Sequence, residues 1–135
     1  MIRLEQPIKS FTVQTIKATI ITIGDELLIG QVIDTNSAWM AQALNRIGVT
    51  VSRRIAVGDE REAIWSALDS EMPLADIVLL TGGLGPTADD ITKPLLCEYF
   101  GGKLVVNEAV LQHLHYLFEK VFGRPMTGRN ARQAE

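Results

Sequence analysis

The stretch TGGLGPTADDITK, residues 81–93, places Gly82, Gly83 and Gly85 a few residues ahead of Asp89 and Asp90. Without a Cβ, glycine lets backbone N–H groups approach an anion closely, and a loop that opens a helix aims those groups at a phosphate. Carboxylates work against such a site, because two unit charges about 4 Å apart repel by roughly 4 kcal/mol at an intermediate dielectric. A divalent cation removes the conflict: Mg2+ takes one or two carboxylates, fills its remaining positions with phosphate oxygens and water, and bridges both kinds of group. The residue types therefore predict a phosphate held on Gly82, Gly83, Gly85 and Thr87, a cation on Asp89 and Asp90, and the charge of Lys93 beside them.

The elements on either side must bring further groups to that loop. ATIITI, Ala18 to Ile23, is a β-branched run ending at Gly24, the pattern of a strand covered on both faces in a parallel sheet. Val49 to Val57 alternates, with Val49, Val51, Ile55 and Val57 on one side and Arg54 on the other, which predicts a half-exposed strand near the edge. Asp76 to Thr81 is apolar after its first residue and is expected as the central strand. Between them, Asp34, Thr35, Asn36 and Ser37 offer caps for a helix carrying Ala41, Leu44 and Ile47 and closed by Gly48. A second helix is expected over Glu60 to Glu71, with Ala63, Ile64, Ala67 and Leu68 buried, and Pro73 stops it.

Thr92 is expected to cap the next helix, with Pro94 in its first turn, where a missing N–H costs nothing. A short strand over Lys103 to Val106 and a helix over Asn107 to Phe122 follow, the latter with Val110, Leu114, Leu117, Phe118 and Val121 inward. This alternation is an α/β chain: a three-layer αβα sandwich around a mostly parallel sheet with right-handed crossovers. In such a sheet the loops leaving the strand ends meet along one edge, where ligands bind. That edge gathers Asp25, Glu26, Asp59, Asp89 and Asp90 beside the glycines. Taken singly, Asp59 and Asp90 could merely cap or favour a helix N-terminus; the set together with the glycines points to a metal–phosphate site.

At 135 residues the chain suits one domain: 47% of it is apolar and 21% charged, an ordinary globular composition. Its apolar runs are strand-sized, so no membrane span is expected, and the mixed opening MIRLEQPIKS lacks the pattern of a secretory signal; a cytoplasmic protein is expected. The net charge of −3 argues against nucleic acid as partner, and Arg124, Arg129 and Arg132 read as a solvated tail. Cys97 stands alone and reads as a small buried hydrophobe, while His113 and His115, two apart, point in different directions on a helix and do not make a metal pair. Residues 1–17 read as a terminal extension and 18–135 as the domain.

GDELLIG with DTN (24–36), GDE (58–60), TGGLGPTADDITK (81–93), RPM (124–126) and NARQAE (130–135) resemble the N-terminal domain of the competence/damage-inducible CinA family, within the molybdopterin-binding group that includes the MogA and MoaB proteins. The resemblance covers about residues 18–135 and implies the αβα fold reached above. It implies a pterin or nucleotide whose phosphates lie over the TGG loop, with Mg2+ and aspartates at the positions of Asp59 and Asp90 serving attack at a phosphoanhydride. For CinA-type domains the implied activity is metal-dependent hydrolysis of a nucleotide pyrophosphate bond, with ADP-ribose as substrate. Asp59, Asp90 and Lys93 would then be catalytic, Asp25, Glu26, Asp89 and Asp90 would hold metal, and Thr35 and Asn36 would bond the ribose or pterin. The alternative is a molybdopterin- or nucleotide-binding module without turnover. Two departures bear on the choice: Ala88 stands where CinA proteins usually carry histidine, and the family continues past NARQAE through further strands, so a truncated version is expected. Relatives form dimers or trimers, which implies a homo-oligomer.

Overall fold

The computed structural model describes residues 15–135. The expected extension lies outside the described residues up to position 14, and its last residue, Lys17, already opens the first strand. β1 (Lys17–Ile23) pairs in parallel with β2 (Thr50–Val57) on one side and with β3 (Ile77–Thr81) on the other, giving the order β2-β1-β3. The centre is therefore β1, whose Ala18, Ile20 and Ile21 have no exposed surface, and the expectation that Asp76 to Thr81 is central is corrected. Both strands are apolar runs, and hydrophobicity alone does not separate them. The order follows from two crossovers running in opposite directions from β1 and back across it, which also places their helices on opposite faces.

On one face lies α2 (Thr35–Arg46), after the short turn α1 (Asp25–Leu28). Of the four candidate caps Asp34 is the one used, accepting from the Ser37 amide at 2.9 Å. On the other face α3 (Arg61–Glu71) and α4 (Thr92–Tyr99) cover β1. Ile21 and Ile23 meet Ile64, Ala67 and Leu68 there, with Trp65, Leu95 and Tyr99 around them. This is the three-layer αβα sandwich, with every strand pair parallel.

The alternation expected for β2 is broken by a bulge. Ala18 pairs with Val51 but Thr19 pairs with Arg53, so Ser52 is the extra residue. Val51 thereby shares the α2 side with Ala18, while Arg53, Ile55 and Val57 fall on the α3 side. The shift lets Arg53 reach the buried Glu71 at 3.3 Å, where the Thr19 hydroxyl also donates to the Glu71 carboxylate at 3.2 Å.

Beyond α4 the chain departs further from expectation. Residues 103–106 form no strand, and Val105 is 73% exposed. The predicted long helix is α5 (Glu108–Tyr116), capped by Asn107, followed by a wider π-type turn over Leu117–Val121. Leu114 and Phe118 are buried against Ala134 as expected, whereas Val110 and Val121 are exposed, because only this small cluster is available to receive them. α6 (Gly128–Ala131) and a single 3-10 turn (Arg132–Ala134) complete the described chain. No helix among the described residues is long and apolar enough to cross a membrane.

Candidate binding site at the strand switch point

α2 follows the carboxyl end of β1 on one face of the sheet and α4 follows that of β3 on the other, so these two strand ends border a crevice of the kind at which doubly wound sheets bind ligands. The two strand ends press together there. A Cβ on Gly82 would stand 1.9 Å from the Ile23 carbonyl oxygen, and its φ of +100° belongs to a region that side chains rarely adopt. A cleft of about 120 Å³ opens at this contact, walled by Glu26, Asp34, Thr35, Asn36, Thr81 and Gly82. Among the described residues the amide N–H groups of Gly82, Gly83 and Leu84 donate to no protein acceptor. Three adjacent free donors beside a cleft are what an anion requires.

Thr92 fixes the loop from beneath. It is fully buried, and it is not the cap expected: Ile91 takes the cap position, Thr92 begins the helix, and its hydroxyl donates to the Gly82 carbonyl at 2.8 Å. That carbonyl would otherwise lack a partner beside the buried strand ends, a cost larger than that of an unused cap. Gly83 is needed for the same contact, since a Cβ there would lie 2.5 Å from the Thr92 hydroxyl oxygen.

Asp90 closes the far side of the loop. Its carboxylate accepts from the Thr87 hydroxyl and from the Thr87 amide at 2.9 Å, and packs against Gly85. The hydrogen bonds from the Thr87 hydroxyl, the Thr87 amide and the Gly85 amide hold its pKa below the ordinary 3.8. A carboxylate with a lowered folded pKa contributes stability above its unfolded value, and that contribution is lost as pH falls through the folded one. Carboxyl NMR titration is accordingly expected to find Asp90 ionised below pH 3.8, and Thr87→Val to move its midpoint back up. An unchanged midpoint in the variant would remove the Thr87 hydroxyl as the cause.

The five rim acids fall into separate places. Asp25 and Asp59 pair across β1 and β2, each carboxylate accepting the other's backbone N–H, at 3.2 and 3.3 Å. Glu26 faces the switch-point cleft, Asp90 faces a second cavity on the other side of the loop with Lys93, and Asp89 is exposed. β1 stands between the β2 and β3 ends, a separation of about 10 Å at the usual strand spacing, so Asp59 and the glycine loop are not neighbours. Among the described residues no group of three or more His, Cys, Asp or Glu is placed to hold a metal. With Asp90 already committed to Thr87 and Gly85, this donor set does not fit a protein-held Mg2+.

Three polar groups went unread as site residues. Asp34 passed for a helix cap, yet it also accepts from the Thr22 hydroxyl at 2.9 Å and lies 3.8 Å from Arg54 at the cleft wall. Burial pushes its pKa up, but the bonds from the Ser37 hydroxyl and amide and from Thr22, with the Arg54 charge, more than offset this and hold it low. Thr92 is the second, and the third is Arg132, whose guanidinium donates to the Pro86 carbonyl at 2.9 Å. Both it and Arg124 are exposed, as a solvated segment implies, but each has a surface contact that the sequence reading did not give: Arg124 lies over the Phe118 and Phe122 rings at 5.5 and 5.6 Å. Sequence carried one signal for Arg132, its place in the NARQAE segment.

A parallel αβα sandwich with a glycine loop at its switch point defines a small-molecule-binding α/β domain. Residues 19–133 match the family described as "Probable molybdopterin binding domain". The chain belongs to this family, in its CinA-like branch. It is 51% identical over 118 residues to a CinA-like protein of Flavobacterium psychrophilum and 50% identical over 119 to one of Cytophaga hutchinsonii, covering 87% and 88% of this chain. It spans 28% of the length of each of those relatives. The crystal structure of the CinA protein of Thermoplasma acidophilum, of unknown function, superposes with a TM-score of 0.70 at 30% identity, covering 87% of this chain and 68% of that one. The tungsten cofactor synthesizing protein MoaB of Pyrococcus furiosus shares the fold, with a TM-score of 0.57 at 22% identity over 82% of this chain and 66% of that one.

Proposed function

We propose that residues 18–135 bind a phosphorylated small molecule, a molybdopterin or a nucleotide, in the switch-point cleft, without turnover. One observation carries the reading: Gly82, which meets Ile23 and lines the cleft, opens a run of three amides, Gly82, Gly83 and Leu84, that donate to no protein acceptor among the described residues. A phosphate would sit on those amides, and Glu26, Thr35 and Asn36 would meet the hydroxyl or ring groups of the ligand. The family description supports a pterin-type ligand. Titration calorimetry with ADP-ribose, AMP and a soluble pterin should give saturable binding of at least one, and no product should form over hours. Absence of binding by all three would remove the proposal.

Hydrolysis of a nucleotide pyrophosphate bond, with any Mg2+ arriving on the substrate's phosphates since the protein's own donors do not fit the ion, is the second reading. It is favoured by Asp90 and Lys93 lining one cavity directly beyond Gly85. AMP release from ADP-ribose with and without Mg2+ decides between the two: metal-dependent turnover lost in Asp90→Asn would establish hydrolysis. We also propose a cytoplasmic location and a dimer or trimer, the assembly supported by the exposed apolar side chains Ile29, Ile33 and Trp39, and light scattering on the purified chain measures it.

A further inference from the structure

Glu26 and Asp34 are the two charged residues lining the switch-point cleft, and both are acids. A phosphate seated there meets their repulsion, which fades with water around the charge and persists where burial thins it. The two carboxylates differ in that respect. Glu26 is exposed and folds back against Gly24, where a Cβ would stand 2.5 Å from its Oε1, so solvent screens it. Only 24% of the Asp34 side chain is exposed, and its compensation comes from behind the wall. Arg54, on the edge strand β2 and outside the cleft lining, stands 3.8 Å from the Asp34 carboxylate. Its Nε–H donates at 2.9 Å to the hydroxyl of the fully buried Ser37, which itself donates to Asp34. The Thr22 hydroxyl of β1 donates to the same carboxylate at 2.9 Å. Capping α2 needs only the bond from the Ser37 amide, so the cap does not account for the arginine.

We infer that Arg54 is a positioning residue for the cleft: acting through Ser37 and Asp34, it cancels the shielded negative charge of the wall and lets a phosphate group settle on the glycine-loop amides. This deepens the binding reading above and rests on it. Arg54 itself stays behind the wall and touches no ligand. Its effect passes through Asp34, whose neighbours Thr35 and Asn36 also line the cleft. Removing the arginine alone strands the carboxylate beside the incoming anion, whereas removing both charges leaves a neutral wall. The two residues are therefore coupled, and the sign of that coupling separates a charge effect from a packing one.

The test is calorimetry with AMP and ADP-ribose on the purified parent, Arg54→Gln, Asp34→Asn and the double variant, with melting temperatures recorded for each. Glutamine carries its amide nitrogen where arginine has Nε, so the bond to Ser37 is kept and only the charge goes; asparagine keeps the cap of α2. The expected result is about a fivefold loss of affinity in Arg54→Gln, the upper end for a partly exposed charge pair, shrinking with added salt. The double variant should return to within about twofold of the parent, which a packing defect would not do. Equal affinity in the parent and Arg54→Gln overturns this inference and leaves the cleft proposal standing. So does a loss that Asp34→Asn fails to restore, or an Asp34→Asn variant as weak as Arg54→Gln. If the parent binds neither nucleotide, this inference fails and the cleft proposal rests on the pterin alone. If Arg54→Gln lowers the melting temperature by more than a few degrees, Arg54→Lys, which keeps the charge, is measured as well: affinity near that of the parent supports the inference, and a loss equal to that of Arg54→Gln overturns it.

Discussion

Gly82→Ala is expected to destabilise the domain by about 2–6 kcal/mol and to abolish ligand binding. The added Cβ would lie 1.9 Å from the Ile23 carbonyl oxygen and 2.8 Å from its carbon, both backbone atoms of the central strand with no room to rotate away. Relieving the overlap requires β1 and β3 to part at their carboxyl ends, an overpacking cost of about 1–3 kcal/mol. Holding a side chain at a φ of +100° adds about 1–3 kcal/mol of backbone strain. The same movement pulls Gly82 off the Thr92 hydroxyl and disperses the free amides of the loop. Urea denaturation measures the first effect and calorimetry the second. Gly30→Ala is the control: its φ of +75° carries strain, but nothing lies within 4 Å of the added carbon, so only the conformational cost of about 1–2 kcal/mol should appear. If Gly82→Ala costs no more than Gly30→Ala, the close strand contact does not exist in solution.

Ile64→Ala should cost about 2–5 kcal/mol, the range for a large aliphatic side chain removed from a closed core. Ile64 has no exposed surface and joins Ile21, Ile23, Ala67 and Leu68, the contact by which α3 is fixed on β1. A domain of this size is stable by about 5–15 kcal/mol, so the substitution removes a substantial fraction of the total and should lower the melting temperature by some 10–20 °C. Val105→Ala, at a side chain 73% exposed, should stay within about 0.5 kcal/mol. Comparable losses at both positions would mean that the α3 face is not the core.

Periodicity and turn chemistry carried most of the architecture. The runs at 18–23, 49–57 and 76–81, the helices between them and the stop at Pro73 could be read because burial of one face imposes a local repeat. The glycine loop was legible for a similar reason: no other residue accepts the backbone that Gly82 adopts against Ile23. The parallel order of elements also determined that acids and glycines would share the carboxyl edge of the sheet.

Only the tertiary structure decided who meets whom along that edge. An apolar strand looks the same in the middle of a sheet or beside it, so the placement of β1 at the centre came from the direction of the crossovers, and it is β1 that holds Asp59 away from Asp90. A single extra residue at Ser52 moved Val51 to the other face, a change no periodicity can announce. Hydrogen-bond partners were equally unreadable: Thr92 takes the Gly82 carbonyl ten positions back, and Arg132 takes that of Pro86 from the last turn. A chain encodes locally which face of an element avoids water, whereas the partner of a polar group is fixed only when remote segments arrive together. The sequence therefore determined the class of site, and packing determined which charges are free to serve it.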